Sequence, residues 1–413
     1  MGKPKIRFKG YTEDWEQRKL GDSCKINGRI GFRGYTEKDI ISKEAGGVLT
    51  FSPTNIVDNK LTIECKNTYI TRKKYDESPE IKISNGDILF VKTGSTLGKS
   101  ALVTGLKEDA SINPQIVVMR VEKDTENFMS NVLITDRVMK QVAAVKIGGA
   151  VPTMTETELK NFTYFAPAEK EEKKKIGDYF RTLDHLITLH QRKCDETKKL
   201  KKCMLQKMFP KEGEKVPEIR FSGFTGDWKQ RKVSEIALQT YGGGTPRTSN
   251  EEFWKGNIPW IQSSDLTVGC LFNIKPRKYI SQKAVSKSAT KLVPQNSIAI
   301  VTRVGVGKLI FMPFSYSTSQ DFLSLSELKT EPEFTVYALY KMMQLVSNEV
   351  QGTSIKGITK DELLAKKLLI PGCDEQKKIG MYLHSLDNLI TLHKKKCDEL
   401  RNIKEFMLQN MFI

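Results

Sequence analysis

Two stretches of the chain repeat apolar residues at the seven-residue spacing typical of a long helix that packs along a second helix. The repeated positions run from Ile176 to Met204 in the first stretch and from Ile379 to Met407 in the second. A helix of about 38 residues is roughly 57 Å long, which is more than one small domain can cover. The pattern therefore predicts that the two helices pack on each other as an antiparallel coiled coil.

The predicted seam of this coiled coil combines the repeated positions with residues three places further along each helix. Tyr179, Leu200, Tyr382 and Ile403 are examples of the second set. The residues that we expect at the seam are Ile176, Leu183, Leu186, His190 and Met204 in the first helix and Ile379, Leu386, Leu389, His393 and Met407 in the second.

Histidine and cysteine recur together in the two helices. His190 is followed one turn later by Cys194, and His393 by Cys397. Two histidines and two cysteines form a ligand set that zinc accepts, but core histidines and small buried thiols explain the same spacing. We therefore predict no metal site. The seven cysteines include no Cys-x-x-Cys pair, so we also expect reduced thiols rather than disulfides.

The helices belong to an internal repeat that spans the chain. Residues 4–19 return as 217–232 with 11 of 16 positions identical, and residues 172–209 return as 375–412 with 23 of 38 identical. The segments between these flanks have diverged. We call these diverged segments the bodies. A recent duplication alone would leave the two bodies as similar to each other as the flanks are. The lower similarity of the bodies indicates that the helices keep a shared contact while the bodies carry different surfaces.

The diverged bodies alternate short β-rich runs, such as ILFV at 88–91 and SIAIV at 297–301, with Gly, Asn and Pro. This pattern predicts a mixed α/β fold for each body. The polar run KEGEKV after Pro210 is typical of a linker. The predicted organisation is a first body at 1–168, a first long helix at 169–209, a linker at 210–216, a second body at 217–371 and a second long helix at 372–413.

The chain is strongly basic. Its 67 Lys and Arg residues exceed its 49 Asp and Glu residues, for a formal net charge of +18. Such an excess favours a polyanionic partner, because neutralised phosphates release condensed counterions. No run approaches the roughly 18 consecutive apolar residues of a membrane span, and MGKPKIRFKG lacks the apolar stretch of a signal peptide. We therefore expect a cytoplasmic protein that binds nucleic acid rather than a membrane.

Basic residues in the bodies are interleaved with turn formers and aromatic residues, as in NGRIGFRGY and GGGTPRTSN. Such loops can follow phosphates and reach base edges, where arginine pairs with guanine while lysine mainly supplies charge. For any one residue, a surface role without a ligand is the competing interpretation. The DNA-contacting candidates are Arg29, Arg33, Tyr35, Arg72, Lys73, Lys74, Lys92 and Lys99 in the first body and Arg247, Trp260, Arg277, Lys278, Arg303 and Lys308 in the second.

Catalytic motifs are not evident. GSTLGKS at 94–100 resembles a phosphate-binding loop, but three residues rather than four separate its first glycine from the Gly-Lys pair. A tight turn after a strand is the better interpretation. The sequence shows no nucleophile elbow, adenine-methyltransferase motif or clear nuclease motif. We therefore predict no catalytic residues in this chain.

This arrangement of repeated flanks and diverged bodies resembles the specificity subunits of Type I restriction-modification systems. The resemblance is carried by FKGYTEDWEQRKLGD and FSGFTGDWKQRKVSE, by GGGTPRTSNEEFWKGNIPWIQSSDL and SQDFLSL, and by PGCDEQKKIGMYL before the last helix. The first helix is preceded by PAEKEEKKKIG, which departs from the PGCDEQKKIG form and leaves the effect on partner docking open.

The resemblance implies two target-recognition domains that each read one half of a split DNA target, with helices that set the spacer. It also implies methyltransferase subunits docked on the helices and restriction subunits held through the assembled complex. S-adenosylmethionine, ATP and Mg²⁺ are then expected on those partners, and no cofactor in this chain. The competing interpretations are a basic coiled-coil scaffold that binds protein or RNA and a phosphate-loop enzyme.

Overall fold

The computed structural model describes residues 2–31, 34–145, 152–351 and 357–413. The chain divides into two compact units. Unit 1 comprises Met1–Gln191 and Lys395–Ile413, and unit 2 comprises Arg192–Lys394. Each unit therefore contains one body together with a part of each long helix. This division differs from the predicted succession of bodies and helices because it follows contacts in space rather than order along the chain.

The body of unit 1 is a mixed α/β structure that precedes the first long helix. Its elements are β1 (Glu16–Lys19), α1 (Leu20–Ser23), β2 (Cys24–Gly28), β3 (Val48–Phe51), β4 (Ile56–Val57), β5 (Lys60–Leu61), β6 (Thr68–Ile70), α2 (Arg72–Asp76), β7 (Ile88–Val91), β8 (Ser100–Leu102), β9 (Ala110–Ile112), β10 (Ile116–Val121), α3 (Glu126–Val132), α4 (Asp136–Val145), α5 (Glu156–Asn161) and β11 (Thr163–Ala166), followed by α6 (Lys170–Lys207).

The body of unit 2 is built in the same way. Its elements are β12 (Lys229–Lys232), β13 (Ala237–Gly242), β14 (Ile258–Ile261), β15 (Lys278–Ile280), α7 (Gln282–Lys287), β16 (Ser297–Val301), β17 (Leu309–Met312), β18 (Ser317–Thr318), β19 (Phe322–Leu328), α8 (Pro332–Gln351), α9 (Lys360–Ala365) and β20 (Lys367–Ile370), followed by α10 (Cys373–Met411).

The two bodies share a sheet plan. Unit 1 has a four-stranded antiparallel sheet in the order β2-β10-β7-β8, and unit 2 has the equivalent order β13-β19-β16-β17. A three-stranded sheet accompanies each of them, β6-β3-β9 or β15-β14-β18, with one parallel pair in each sheet. The first and last strands of each body also pair, as β1-β11 and β12-β20. The diverged sequences therefore keep one fold, since most of their buried strand residues remain apolar.

Within each unit the two long helices run antiparallel. In unit 1 the Cys397 thiol contacts the Ile187 carbonyl oxygen at 3.6 Å, and Lys404 donates to Asp184. Residue numbers therefore increase along one helix as they decrease along the other. In unit 2 Cys194 contacts the Ile390 carbonyl oxygen at 3.8 Å. A cysteine suits these positions because a small side chain allows close approach of the neighbouring backbone.

The residues between the helices differ from the predicted seam at the interleaved positions. Ile176, Leu183, Ile379 and Leu386 are buried, whereas Leu389 is 43% exposed. The interleaved seam residues lie four places after each repeated position rather than three. They are Phe180, Ile187, Cys194 and Lys201 in α6, with Met208 directly after it, and Leu383, Ile390, Cys397, Lys404 and Met411 in α10. Leu389 was therefore wrongly placed, and His190, Leu186, Met204, His393 and Met407 are partly buried.

The start of each body is held to its own long helix by a repeated ion pair. Arg7 donates to both carboxylate oxygens of Glu172 at 2.7 and 2.8 Å, and Arg220 does the same with Glu375 at 2.7 and 2.8 Å. Both carboxylates are almost fully buried. Each arginine joins its glutamate through two hydrogen bonds between a planar guanidinium and a planar carboxylate. This geometry holds the first segment of each body in one orientation.

Candidate nucleic-acid interface

The loop that follows β13 in the body of unit 2 is held at two of its carbonyl groups by tryptophans. Trp260 donates from its indole nitrogen to the Gly244 carbonyl oxygen at 3.0 Å, and Trp254 donates to the Arg247 carbonyl oxygen at 3.3 Å. A side chain at Gly243 would place its Cβ 1.8 Å from the Ser319 carbonyl oxygen. Glycine is therefore required there, and the loop presents the exposed Arg247 on a fixed backbone.

A cationic and aromatic cluster lies beside this loop. The rings of Trp254 and Trp260 meet edge to face with centroids 5.0 Å apart, and the Lys278 ammonium lies 5.7 and 5.6 Å from the two centroids. Arg277 donates to the Asp265 carboxylate and to the Ser264 carbonyl oxygen, the latter at 2.7 Å. These contacts fix where the two cations stand while leaving both side chains exposed.

A second basic segment of unit 2 is the turn between β16 and β17. Arg303 is exposed in this turn, whereas Lys308 is partly buried and donates to the Ser263 carbonyl oxygen at 3.1 Å. Gly305 and Gly307 have φ values of +95° and +98°. The left-handed backbone at these two glycines allows the tight turn that Arg303 begins.

Three of the candidate DNA contacts of unit 1, Arg72, Lys73 and Lys74, lie on α2. Thr71 caps this short helix by accepting from the Lys74 amide at 3.4 Å. Arg72 donates to Asp109 at 2.6 Å, and this hydrogen bond raises the pKa of Arg72 above its ordinary value. Lys74 pairs with Glu77, and Lys73 is exposed. The carboxylates of Asp109 and Glu77 partly neutralise this surface. Its net positive charge is therefore smaller than three consecutive basic residues suggest.

The run GSTLGKS is a tight turn between β7 and β8. The amide of Leu97 donates to the Gly94 carbonyl oxygen at 3.0 Å, and the amide of Gly98 donates to the Val91 carbonyl oxygen at 3.0 Å. Amides used in this way are not available to cradle a phosphate. Lys99 is exposed at the end of the turn, while Lys92 pairs with Glu156 at 3.4 Å.

Two of the candidate DNA contacts, Arg29 and Trp260, lie in the interior and are too buried to contact DNA as expected. Arg29 is 6% exposed and donates to the Ile112 carbonyl oxygen at 3.1 Å, and burial lowers its pKa. Trp260 is 4% exposed, and its indole N–H donates to the Gly244 carbonyl oxygen. Both side chains hold loops in place. Tyr35 lies partly buried beside Arg29, and Arg33 is outside the described residues.

Three residues of this surface were missed by reasoning from the sequence. Trp254, Lys255 and Tyr279 surround Lys278 at a depression in unit 2, and Lys255 and Tyr279 are exposed. The signal was present in the run EEFWKG, where a tryptophan directly precedes a lysine. Two tryptophans follow the glycine loop, however, and only the fold shows that Trp254 rather than Trp260 reaches the surface.

Two further properties hold for the part of the chain that the structure describes. It contains no group of three or more His, Cys, Asp or Glu side chains arranged to hold a metal ion. Across the same residues, none of the helices has the length and the apolar composition needed to traverse a membrane.

Comparisons with known proteins agree with this architecture. A family model described as the Type I restriction modification DNA specificity domain matches the chain twice, at residues 12–199 and 225–402. The chain is 24% identical over 408 residues to a putative type I restriction enzyme MjaX specificity subunit of Methanocaldococcus jannaschii, covering 95% of this chain and 91% of the relative. It is 31% identical over 177 residues to the EcoR124I/EcoR124II specificity subunit of Escherichia coli, covering 40% and 42%.

Solved structures show the same fold at low identity. The S subunit of a Type-I restriction-modification system from M. genitalium superposes with a TM-score of 0.66 at 13% identity, over 100% of this chain and 99% of that one. A chain from work on complex assembly and conformational transition of the type I R-M system superposes with a TM-score of 0.52 at 19% identity, over 97% and 98%.

Proposed function

The chain belongs to the family of Type I restriction-modification DNA specificity proteins, and on this premise we propose that each of its two bodies reads one half of a split DNA target. As a specificity subunit it has two target-recognition domains. The observation that carries the proposal is that both bodies share a sheet plan but differ in their exposed loops. A constant scaffold with different loops suits two different half-sites.

The unit 2 body supports this proposal more directly than the unit 1 body. It presents Arg247 and Arg303 at its surface from loops that contain glycines, and Lys278 from the start of β15 beside two tryptophans. Preorganised cations of this kind can contact phosphates and base edges without first ordering a flexible loop. In unit 1 the corresponding role is assigned to Lys73 and Lys99, which are exposed.

The experiment that tests this proposal exchanges residues 20–150 for the body of another family member. Sequencing of the methylated sites in host DNA should then show one changed half of the target and one unchanged half. A control chain carrying its own residues 20–150 should restore the original target. A change in both halves, or wild-type binding that does not distinguish any duplex sequence, would reject the proposal.

We further propose that the long helices set the spacer between the half-sites. Their antiparallel contacts within each unit support this, because a packed pair of helices resists bending. Insertion of one heptad into each helix keeps the seam in register and lengthens the pair by about 10 Å at 1.5 Å per residue. The expected result is a longer spacer with unchanged half-sites, and altered half-sites would contradict it.

The helices also offer surfaces on which we propose that methyltransferase subunits dock. Leu392 and Phe406 of α10 are 59% and 55% exposed, and Met381 is 66% exposed. Apolar side chains of this size on a helix surface are typical of protein interfaces. Leu392→Ser and Phe406→Ser should reduce the amount of methyltransferase that copurifies, whereas Lys394→Ser should not. We assign restriction subunits to the assembled complex rather than to this surface.

We propose that S-adenosylmethionine, ATP and Mg²⁺ act on the partner subunits and that this chain performs no catalysis. The turn amides at 97 and 98 support this, because their hydrogen bonds are already satisfied within the turn. Calorimetric titration of the purified chain with each compound should show no heat of binding. The same titration of the assembled complex should show binding. We expect the complex to act in the cytoplasm, where the chromosomal DNA is.

A further inference from the structure

One surface depression in unit 2 is lined by cations and aromatic rings. It has a volume of about 580 Å³ and is open to solvent. Its lining includes three cations and two large aromatic side chains, and none of its described lining residues is a carboxylate. The principal lining residues are Thr248, Trp254, Lys255, Arg277, Lys278 and Tyr279.

Two of the three cations around this depression are held in position by contacts with neighbouring side chains. Lys278 lies over the two tryptophan rings, and Arg277 is held by Ser264 and by the fully buried side chain of Asp265. Lys255 pairs with Glu251 at 2.8 Å, but both side chains are more than 70% exposed, at 73% and 81%. An ion pair so exposed contributes little and is readily exchanged for another anion.

The shape of the depression decides which part of a duplex it fits. A loop that reads base edges must project into a groove, since the edges lie at the groove floor. A concave site instead receives the part of the duplex that projects, which is the sugar-phosphate backbone. Lysine supplies point charges to phosphates, and the apolar faces of Trp254 and Tyr279 suit contact with deoxyribose.

We propose that this depression receives the sugar-phosphate backbone of one DNA strand and that it positions unit 2 on its half-site without reading bases. The inference rests on the proposed function of the chain in DNA recognition. It separates two tasks within the unit 2 body, because the depression sets the register and other exposed loops read the sequence.

The first experiment removes two positive charges while keeping polar side chains of similar size. The variant K255Q/K278Q is compared with the wild-type chain in complex with its methyltransferase subunits, on the target duplex and on a scrambled duplex over a salt series. Each lysine that neutralises a phosphate contributes about 1 to the slope of log K against log salt, so the slope should fall by about 2. The ratio of the affinities for target and scrambled duplexes should not change.

The matched control is K229Q/K329Q, which removes two exposed lysines outside the depression. It should leave the slope close to that of the wild type, and thermal unfolding should show that both double variants remain folded. A lower ratio of target to scrambled affinity in K255Q/K278Q would show base reading and overturn the proposal. An unchanged slope would overturn it as well.

The second experiment locates the contact on the DNA. Duplexes with one neutral methylphosphonate linkage at a time are scanned through the half-site assigned to unit 2. Wild-type affinity should fall at one or two adjacent linkages, and K255Q/K278Q should show no further fall at those linkages. Independent, additive losses would overturn the proposal. Failure of the wild type to prefer its target would instead reject the recognition function itself.

Discussion

Lys404 donates to both carboxylate oxygens of Asp184, at 2.8 and 2.8 Å, and so places an ion pair in the helix seam of unit 1. Lys201 and Asp387 form the equivalent pair in unit 2, at 2.5 and 2.7 Å. Each pair joins one long helix to the other, because the lysine and the aspartate come from different copies of the repeat. Tyr337 adds a hydrogen bond to Asp387 at 2.6 Å, and burial raises the pKa of Tyr337.

These paired contacts should differ in their contribution to stability. Asp387→Ala leaves the Lys201 charge and the Tyr337 hydroxyl without their acceptor, and we expect a loss of about 3–5 kcal/mol in the free energy of unfolding. Asp184→Ala acts at a more exposed pair, with side-chain exposures of 18% and 32% against 10% and 20%. Its loss should be smaller, and urea denaturation of both variants checks the order. Equal losses would contradict this account.

The position of the seam can be tested with two leucines of α10. Leu386 is 5% exposed and Leu389 is 43% exposed. Leu386→Ala should reduce the free energy of unfolding by about 2–5 kcal/mol, because it leaves a cavity. Leu389→Ala should cost less than about 1 kcal/mol, since its side chain is already partly in water. Chemical denaturation measures both, and a larger effect at Leu389 would restore the seam first expected.

A buried carboxylate in unit 1 predicts a pH dependence of stability. Burial acts to raise the pKa of Asp124, but hydrogen bonds from Lys173 and Tyr164 outweigh burial and hold this pKa below its ordinary value. The ionised carboxylate therefore stabilises the folded chain above its unfolded pKa of about 4, and the stabilisation is lost as the pH falls through the lower folded value.

Asp124→Asn should remove this contribution. The difference in the free energy of unfolding between wild type and variant should be constant near neutral pH and should narrow below about pH 4. Denaturation curves at a series of pH values measure it. In unit 2 the residue equivalent to Lys173 is Gln376, which accepts from the Glu331 amide at 3.0 Å. Gln376→Ala therefore serves as a control, and its effect should not vary with pH. A pH-independent difference for Asp124→Asn would refute the assignment.

The glycine loop of unit 2 offers a matched pair of substitutions. Gly243→Ala would place its Cβ 1.8 Å from the Ser319 carbonyl oxygen, whereas a Cβ at Gly242 meets no atom within 4 Å. We expect Gly243→Ala to lower the free energy of unfolding by about 1–3 kcal/mol or more, and to weaken binding of the unit 2 half-site. Gly242→Ala should be close to neutral in thermal unfolding. If both variants behave alike, the close approach is unimportant.

Arg29 and Arg303 should separate a structural arginine from a DNA contact. Arg29→Ala leaves the buried Ile112 carbonyl without its donor and should cost about 1–3 kcal/mol of stability, with an unchanged salt dependence of DNA binding. Arg303→Ala should keep its stability within about 0.5 kcal/mol and weaken DNA binding. Thermal unfolding and binding titrations measure the two effects. A stable Arg29 variant with weakened DNA binding would instead show that Arg29 contacts DNA.

Residue type alone predicts much of the chemistry of the candidate site but little of its exposure. Basic residues beside turn formers and aromatic residues indicate the part of unit 2 where Arg247 and Lys278 lie at the surface. The same reasoning misplaced Trp260 and overlooked Trp254, although the two residues are six positions apart in one loop-and-strand segment. Strands β15 and β18, which come later in the chain, pair with β14 and determine which of the two indole rings is covered.

The two repeated halves, the mixed α/β bodies and the two long helices could be predicted from the amino-acid sequence, because repeated segments, heptad spacing and runs of strand-forming residues are visible along the chain. The tertiary structure decided which face of each helix forms the seam. Residues three and four places after a repeated position lie close together on a helix, and both sets contain apolar side chains. Lys201 and Lys404 nevertheless occupy the seam, since the aspartate that pairs with each comes from the distant helix.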